Sequence, residues 1–429
     1  MTTVLHGLLA PSANRVYGQQ AAALAAAELR FVLAHTVPGA LEDVREESIA
    51  GMPTLRIELA DWALDADIGG AAGEGIDAAA RARVLTALAR SPHIFGVFDE
   101  VGTMPAPEPV GPDREAAGPA VGPADGAAGE ERLYVDEMPE LPLLLPVRTP
   151  AVDRFDSTLL TTLKYQGKTN EQFTALMLSC AIAASADAHL IEDTSRPFTV
   201  LDPVAGRGTT LNQALMWGLD AVGVDLDKKD AELFRAFLTT WMRENRLKHT
   251  TSAERLTVNG QQLGSVFRAD LARSKEEQRA GRGQSLTLFT ADTTGLGAFI
   301  RPRSANAIVA DLPYGVQHGA RAQAGKQTRT PKAGKQTKNA ALSRSPLQLV
   351  ESALPAWSRA MTDGASLVLA VNRRTAPYPA MAEVLQQGGL RLLTEDGQFR
   401  HRVDRSIDRD IIVAVKRSHP ASSTKGTPS

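Results

Sequence analysis

The apolar residues of the first hundred positions fall into short runs of strand length and longer stretches rich in Ala and Leu. The strand-length runs have the alternation typical of half-buried strands, and the longer stretches have the apolar density of helices. This order predicts a small α+β domain over residues 1–103. The predicted strands lie at 4–9, 54–59 and 93–98, and the predicted helices at 19–34 and 78–89.

The pattern changes over residues 132–417, where strand-length apolar runs alternate with helical stretches. Strand, helix and strand at this spacing predict an α/β domain with a doubly wound, mainly parallel sheet. Ligands of such sheets bind beyond the carboxyl ends of the strands, so we expect the functional residues there. The predicted strands lie at 199–201, 221–224, 286–290, 307–310, 366–371 and 410–415, with helices from 209 to 217 and up to 241.

Three segments have neither the strand pattern nor the helix pattern of apolar residues. Residues 104–131 are rich in Ala, Gly, Pro and Glu, and they contain too few apolar residues to offset the entropy of ordering, so they predict a disordered linker. Residues 319–345 contain seven Lys or Arg and no acid. They predict a disordered basic insertion, either a solvated surface or a segment that neutralises phosphates. Residues 418–429 predict a disordered polar tail.

Composition narrows the class of protein. The 429 residues have a net charge of -2, so any contact with a polyanion must come from local patches. The lone Cys180 excludes an internal disulfide and a cysteine metal cluster. No apolar run reaches the roughly 20 residues that span a bilayer, and no export signal begins the chain. We therefore expect a soluble, cytoplasmic protein with no membrane partner and no metal.

A glycine-rich turn follows the first predicted strand of the second domain. It reads Leu-Asp-Pro-Val-Ala-Gly-Arg-Gly-Thr-Thr over residues 201–210. Gly206 and Gly208 permit a tight turn and a close approach of backbone to ligand, and Thr209 or Thr210 can cap the helix that follows. Asp225 ends the next strand, 17 residues after Gly208, near the spacing at which an acid binds ribose hydroxyls.

Two features separate this turn from a nicotinamide-dinucleotide site. Position 211 is Leu, where the dinucleotide fingerprint has its third glycine. Asp202, before the turn, can accept a hydrogen bond from a cationic amino group, which S-adenosylmethionine has and a pyrophosphate lacks. Asp292 ends the third apolar run, where it either binds an adenine amino group or caps a helix; the sequence favours neither.

The sequence Asp311-Leu312-Pro313-Tyr314 follows the strand at 307–310. An exocyclic base amine is a poor nucleophile, because its lone pair is delocalised into the ring. Asp311 and the carbonyl of Leu312 can accept both N–H groups, Pro313 fixes the direction of that carbonyl, and Tyr314 can stack on an unpaired base. The alternative is a simple turn, since Asp, Pro and Gly are common turn residues.

The chain has no Pro-Cys nucleophile, which excludes methylation at ring carbon 5 through a thiolate adduct. The combined motifs therefore indicate methyl transfer to an exocyclic amine.

The order of these motifs resembles the TRM11-like, UPF0020-type RNA methyltransferases, which make N2-methylguanosine in tRNA. The resemblance covers residues 164–314 and extends more loosely to 415, with Leu312 in place of the family's first proline. It implies a Rossmann-like class I methyltransferase domain, S-adenosylmethionine as cofactor and tRNA as partner. It also implies a cofactor set, namely Thr169, Asp202, Pro203, Gly206, Gly208, Thr209, Asp225 and Asp292.

Two other functions stay open at this point. A DNA adenine-N6 or cytosine-N4 methyltransferase uses the same acid-x-Pro-aromatic arrangement, and a nucleic-acid-binding protein can keep the fold without catalysis. Residues 1–103 show no clear tRNA-binding module, so RNA is favoured over DNA by the resemblance and by the basic insertion alone. The polar cluster at 399–406 is interpreted as a structural hairpin.

Overall fold

A computed structural model describes residues 2–63, 78–105, 140–163, 168–193, 196–313 and 345–417. Tyr314, residues 319–344 of the basic segment, residues 106–131 of the linker and the tail at 418–429 lie outside the described residues.

The N-terminal domain is a five-stranded antiparallel sheet with helices on one face. Side chains such as Leu5, Val44 and Ile57 point from the sheet to these helices and are fully buried. The strand order is β2-β3-β1-β4-β5. The elements are β1 (Thr2–Leu9), α1 (Arg15–Gly18), α2 (Ala21–Thr36), β2 (Leu41–Ile49), β3 (Met52–Ala60), α3 (Ala78–Arg90), β4 (Ile94–Pro105) and β5 (Glu140–Pro146).

This sheet extends past the boundary expected from the sequence. Strand β4 continues through Met104 and Pro105, at the start of the expected linker, and β5 lies in the range assigned to the second domain. The two strands pair antiparallel from Phe98 opposite Pro146 to Pro105 opposite Glu140, with a register shift between Glu100 and Gly102. Backbone pairing with β4 thus places β5 in the N-terminal sheet.

The C-terminal domain begins with two helices and then alternates strands and helices. Short 3-10 helices lie at Ala188–Ile191 and Thr293–Ala298. The helices are α4 (Thr158–Thr161), α5 (Glu171–Ala184), α6 (Thr209–Met216), α7 (Lys228–Glu244), α8 (Lys275–Arg279), α9 (Pro346–Ala360) and α10 (Tyr378–Gln387). The strands are β6 (Thr199–Asp202), β7 (Asp220–Asp225), β8 (Lys248–Val258), β9 (Gln261–Ala272), β10 (Gln284–Thr290), β11 (Ala305–Asp311), β12 (Met361–Asn372), β13 (Leu390–Leu392), β14 (His401–Arg402) and β15 (Asp408–Lys416).

These strands form one ten-stranded sheet in the order β13-β15-β12-β11-β6-β7-β10-β9-β8, with β14 paired to β15. The five central strands, β10, β7, β6, β11 and β12, are parallel, and the outer strands on both sides are antiparallel. This is the expected Rossmann-like α/β fold. Because the central strands are parallel, their carboxyl ends meet at one edge of the sheet.

Two apolar cores cover the faces of this sheet. On one face, Phe173, Leu176 and Phe234 pack in the same cluster as Leu29 and Leu33 of the N-terminal domain. On the other face, α9 and α10 pack around Trp357. Helix α5 is therefore shared between the domains, which fixes the N-terminal domain against the helix that leads into the candidate site. Among the described residues, no helix is long and apolar enough to cross a membrane.

Candidate active site

The glycine-rich turn joins β6 to α6 with two residues in the left-handed region. Gly206 has φ 51° and Gly208 has φ 78°. A Cβ on Gly208 would lie 2.3 Å from the Phe234 ring, whereas a Cβ on Gly206 would meet nothing within 4 Å. Gly208 is thus required for packing, and Gly206 leaves an open approach to the backbone.

The cap of α6 differs from the expectation. The N-cap is Gly208, and no side chain caps the helix, so neither Thr209 nor Thr210 does so. Both threonines are buried in the first turn of the helix, because the helix begins at Thr209, directly after Gly208. The N-cap residue of α6 thus contributes no side-chain hydrogen bond, and the amides of a helix amino terminus favour an anionic or polar ligand.

Asp202 is the last residue of β6 and is almost fully buried. One carboxylate oxygen accepts a hydrogen bond from the amide of Val204 at 3.0 Å. Burial raises the pKa of this carboxyl to about 7, and the hydrogen bonds from Val204 and Thr210 only partly offset that effect. A cationic ligand group beside Asp202 would stabilise the ionised carboxylate, which burial disfavours. Pro203 follows it, buried in the turn.

Asp225, at the end of β7, links the glycine-rich turn to that strand through hydrogen bonds. Its two carboxylate oxygens accept hydrogen bonds from the amides of Gly206 and Asp227, both at 2.7 Å. Burial raises the pKa of Asp225. Each oxygen keeps a second lone pair, so the carboxylate can also accept bonds from ligand hydroxyls.

Asp292 is the N-cap of the 3-10 helix that follows β10. One oxygen accepts bonds from the amide and the hydroxyl of Thr294, at 2.9 and 2.8 Å. The strand-end cap, one of the two alternatives for this residue, is therefore present. Asp292 lies at the same edge of the sheet as Asp225, because the residue before it, Ala291, donates its amide hydrogen to the carbonyl of Asp225.

Asp311 ends β11 at the same edge, with its side chain partly buried. Leu312 is buried and donates its amide hydrogen to the carbonyl of Ala370 on β12, whereas Pro313 is exposed. Asp311 and Asp225 both contribute to the raised pKa of Asp202, although less than burial does. Three carboxyl groups from different strands thus crowd one edge, as the sequence motifs indicated.

Thr169, which the resemblance places in the cofactor set, contacts the acid of the candidate reacting centre. Its hydroxyl donates a hydrogen bond to the Asp311 carboxylate at 2.6 Å. The residue after it, Asn170, caps α5 by accepting the amide hydrogens of Gln172 and Phe173. The loop before α5 therefore orients the acid at the candidate reacting centre.

Sequence reasoning missed Arg409, Phe173 and His401. The Arg409 guanidinium on β15 lies 3.8 Å from the Asp311 carboxylate and 4.5 Å from the centre of the Phe173 ring. The His401 ring lies 4.9 Å from the Phe173 ring. The available signal was a charged residue, Arg409, directly before the predicted strand at 410–415.

Among the described residues, no group of three or more His, Cys, Asp or Glu side chains is arranged to hold a metal ion. The donors at this edge are carboxylates and backbone amides around an open glycine turn. They match a polar, cationic organic ligand with hydroxyl groups, and Asp202, Asp225 and Gly206 are the residues able to hold it.

No protein-family model and no curated protein matches this chain. Among solved structures, TrmN from Thermus thermophilus is 14% identical, covers 97% of this chain and 100% of its own, and has a TM-score of 0.37. The T. thermophilus 16S rRNA N2 methyltransferase RsmC is 14% identical, covers 54% of this chain and 38% of its own, and has a TM-score of 0.25. A TehB-like SAM-dependent methyltransferase from Corynebacterium glutamicum is 15% identical, covers 54% of this chain and 87% of its own, and has a TM-score of 0.27. These similarities concern the fold alone.

Proposed function

We propose that this protein is an S-adenosylmethionine-dependent methyltransferase that acts on an exocyclic amino group of a nucleic-acid base. The single observation that carries the proposal is the convergence of Asp202, Asp225 and Asp311 at one edge of the sheet, beside the open Gly206 turn. Asp202 and Asp225 suit the two polar ends of the cofactor, and Asp311 suits the amine that receives the methyl group.

Asp202 and Asp225 hold the cofactor in this proposal. The buried Asp202 carboxylate pairs with the cationic amino group of the methionine part, and Asp225 accepts bonds from the ribose hydroxyls. The open backbone at Gly206 and the amino terminus of α6 border the same space. When bound, S-adenosylmethionine would supply the methyl group to the amine nitrogen from its cationic sulfur, with S-adenosylhomocysteine as the leaving group.

Asp311 prepares the amine. Its carboxylate accepts one amine N–H, which favours a pyramidal nitrogen whose lone pair is available for the methyl group. The Leu312 carbonyl is the second acceptor, and the exposed Pro313 fixes its direction. The surplus proton leaves the methylated nitrogen for water, so no separate general base is needed. Tyr314, which lies outside the described residues, is proposed to stack on the base.

The substrate proposed is guanine N2 in tRNA, on the strength of the resemblance to the TRM11-like enzymes. Residues 319–344 of the basic segment follow the reacting motif in the chain and lie outside the described residues. We propose that they neutralise phosphates of the RNA. If deletion of residues 322–340 leaves RNA affinity and its salt dependence unchanged, this part of the proposal is wrong.

Asp311→Ala tests whether Asp311 acts on the amine and not on the cofactor. Methyl transfer should fall below detection, whereas the dissociation constant of S-adenosylhomocysteine, measured by calorimetry, should stay within about threefold of wild type. Asp225→Ala is the matched comparison and should weaken the same ligand by at least tenfold. A large loss of ligand affinity in Asp311→Ala would contradict the assignment.

A further inference from the structure

The acid proposed to bind the target amine has a buried arginine beside it. Arg409 is the second residue of β15 and is almost fully buried, and its guanidinium lies 3.8 Å from the Asp311 carboxylate. A buried arginine is costly unless it lies near an anion, so the two side chains stabilise each other's charged forms. Neither the sequence motifs nor the proposed chemistry gives Arg409 a role.

Aromatic side chains limit the positions that Arg409 can adopt. The guanidinium carbon lies 4.5 Å from the centre of the buried Phe173 ring, a distance typical of a cation–π contact. His401 packs on the same ring, with ring centres 4.9 Å apart. Because the planar guanidinium stacks on Phe173, Arg409 has one well-defined orientation relative to Asp311.

We propose that Arg409 is a positioning residue, which holds the Asp311 carboxylate in one orientation for the target amine. This inference rests on the function proposed above for Asp311. Arg409 supplies the charge, and Thr169, which donates its hydroxyl hydrogen at 2.6 Å, supplies a directional hydrogen bond. Together they fix the carboxylate before the substrate binds.

The surroundings of Asp311 explain why a cation is needed. The Asp202 carboxyl on the neighbouring strand β6 interacts electrostatically with Asp311, and this repulsion contributes to the raised pKa of Asp202. His401 on β14 offers little compensation, because burial lowers the pKa of its ring. The Thr169 hydroxyl, which donates its hydrogen to Asp311, is neutral. The arginine on β15 therefore opposes the effect of the neighbouring acid.

Side chains of the N-terminal domain pack against His401, which in turn packs on Phe173. The Tyr17 ring packs edge-on against His401, and its hydroxyl lies 2.8 Å from His93 Nε2. The opposite nitrogen of His93 lies 3.1 Å from the Glu28 carboxylate. This buried chain of contacts continues through Phe173 to Arg409, so the first domain contributes to the position of the reacting acid.

Two substitutions of Arg409 separate charge from packing. Arg409→Met should lower kcat at pH 7.5 by at least tenfold, with KM for tRNA and the affinity for S-adenosylhomocysteine changed less than threefold. Arg409→Lys keeps the charge and should recover part of the lost kcat, again with KM close to the wild-type value. Arg402→Met, at an exposed position on the adjacent strand, is the matched control and should behave like wild type in both respects.

A double-mutant cycle on Tm gives a readout that does not need activity. The Tm losses of Arg409→Met and Asp311→Asn should be non-additive, with the double variant losing less than the sum of the single changes. If Arg409→Met does not fold, Arg409→Gln replaces it in both experiments. Additive Tm losses, or an uncharged variant at position 409 with the wild-type kcat, would overturn the proposal. Absence of methylation by wild-type protein would instead overturn the proposed function, and the Tm cycle would still test the Asp311–Arg409 contact.

Discussion

Replacement of Asp202 by Asn should change stability in a way that depends on pH. The shift of its pKa from 3.8 to about 7 corresponds to an ionisation penalty of roughly 4 kcal/mol in the folded protein. Because the folded-state pKa is above the unfolded one, the penalty is absent below pH 3.8, grows between pH 3.8 and 7, and is complete above pH 7. Asp202→Asn should therefore be more stable than wild type at pH 8, by about 1–4 kcal/mol, since the amide lacks the charge.

The same substitution should have the opposite effect on the cofactor. If the cationic amino group binds the ionised carboxylate, the affinity of the wild type for S-adenosylhomocysteine should rise about tenfold between pH 5.5 and pH 7. Asp202→Asn should abolish this pH dependence and weaken binding at pH 7 by about tenfold to a hundredfold.

Urea unfolding of the ligand-free protein at pH 4.5 and pH 8 measures the stability difference, and calorimetric titration measures the affinity. Asp220→Asn is a useful control, because burial also raises the pKa of Asp220 but the residue lies at the amino end of β7, away from the site. It should leave the pH dependence of binding intact. The reasoning is refuted if wild-type affinity is independent of pH, or if Asp202→Asn keeps the wild-type slope.

Four further substitutions, of which Gly260→Ala is a control, test separate parts of the structure. Gly206→Ala and Gly260→Ala should each cost about 1–2 kcal/mol of stability, because both have positive φ and open space around a Cβ, but only Gly206→Ala should weaken S-adenosylhomocysteine binding in calorimetry. Thr169→Val should lower kcat about tenfold with unchanged affinity for this ligand, and weakened affinity would favour the cofactor role implied by the family resemblance. Tyr17→Phe should lose about 1–2 kcal/mol in urea unfolding through the lost bond to His93, and unchanged stability would contradict that contact.

The parallel core and the placement of its motifs were predictable from local sequence. Buried parallel strands have continuous apolar runs, and the residues after those runs meet at one edge whatever the packing of the rest. This is why Asp202, Asp225 and Asp311 were expected together and are found together.

The antiparallel strands were harder to predict. Strand β2 has the sequence Leu-Glu-Asp-Val-Arg-Glu-Glu-Ser-Ile, and most of its side chains are exposed or partly exposed, because it lies at a sheet edge. Strand β8, at the edge of the other sheet, has almost no buried side chain. In both, backbone pairing with a neighbour stabilises the strand, and that pairing leaves little apolar alternation in the sequence.

Contacts between distant segments were beyond local reasoning. Arg409 reaches Asp311 only because β15 pairs with β12, which in turn pairs with β11. The Thr169 hydroxyl reaches the same acid from the loop before α5. Neither contact has a sequence motif, since each depends on the order of strands in the sheet.

The most direct test of the account is the identity of the methylated nucleoside. Wild-type protein and Asp311→Ala are incubated with methyl-labelled S-adenosylmethionine and either total unmodified tRNA or duplex DNA, and each nucleic acid is digested to nucleosides. If the protein methylates guanine N2 in tRNA through Asp311, the wild type alone should give labelled N2-methylguanosine from tRNA, and DNA should carry no label. Label in DNA adenine or cytosine, in a ring-carbon product, or in neither substrate despite cofactor binding would contradict it.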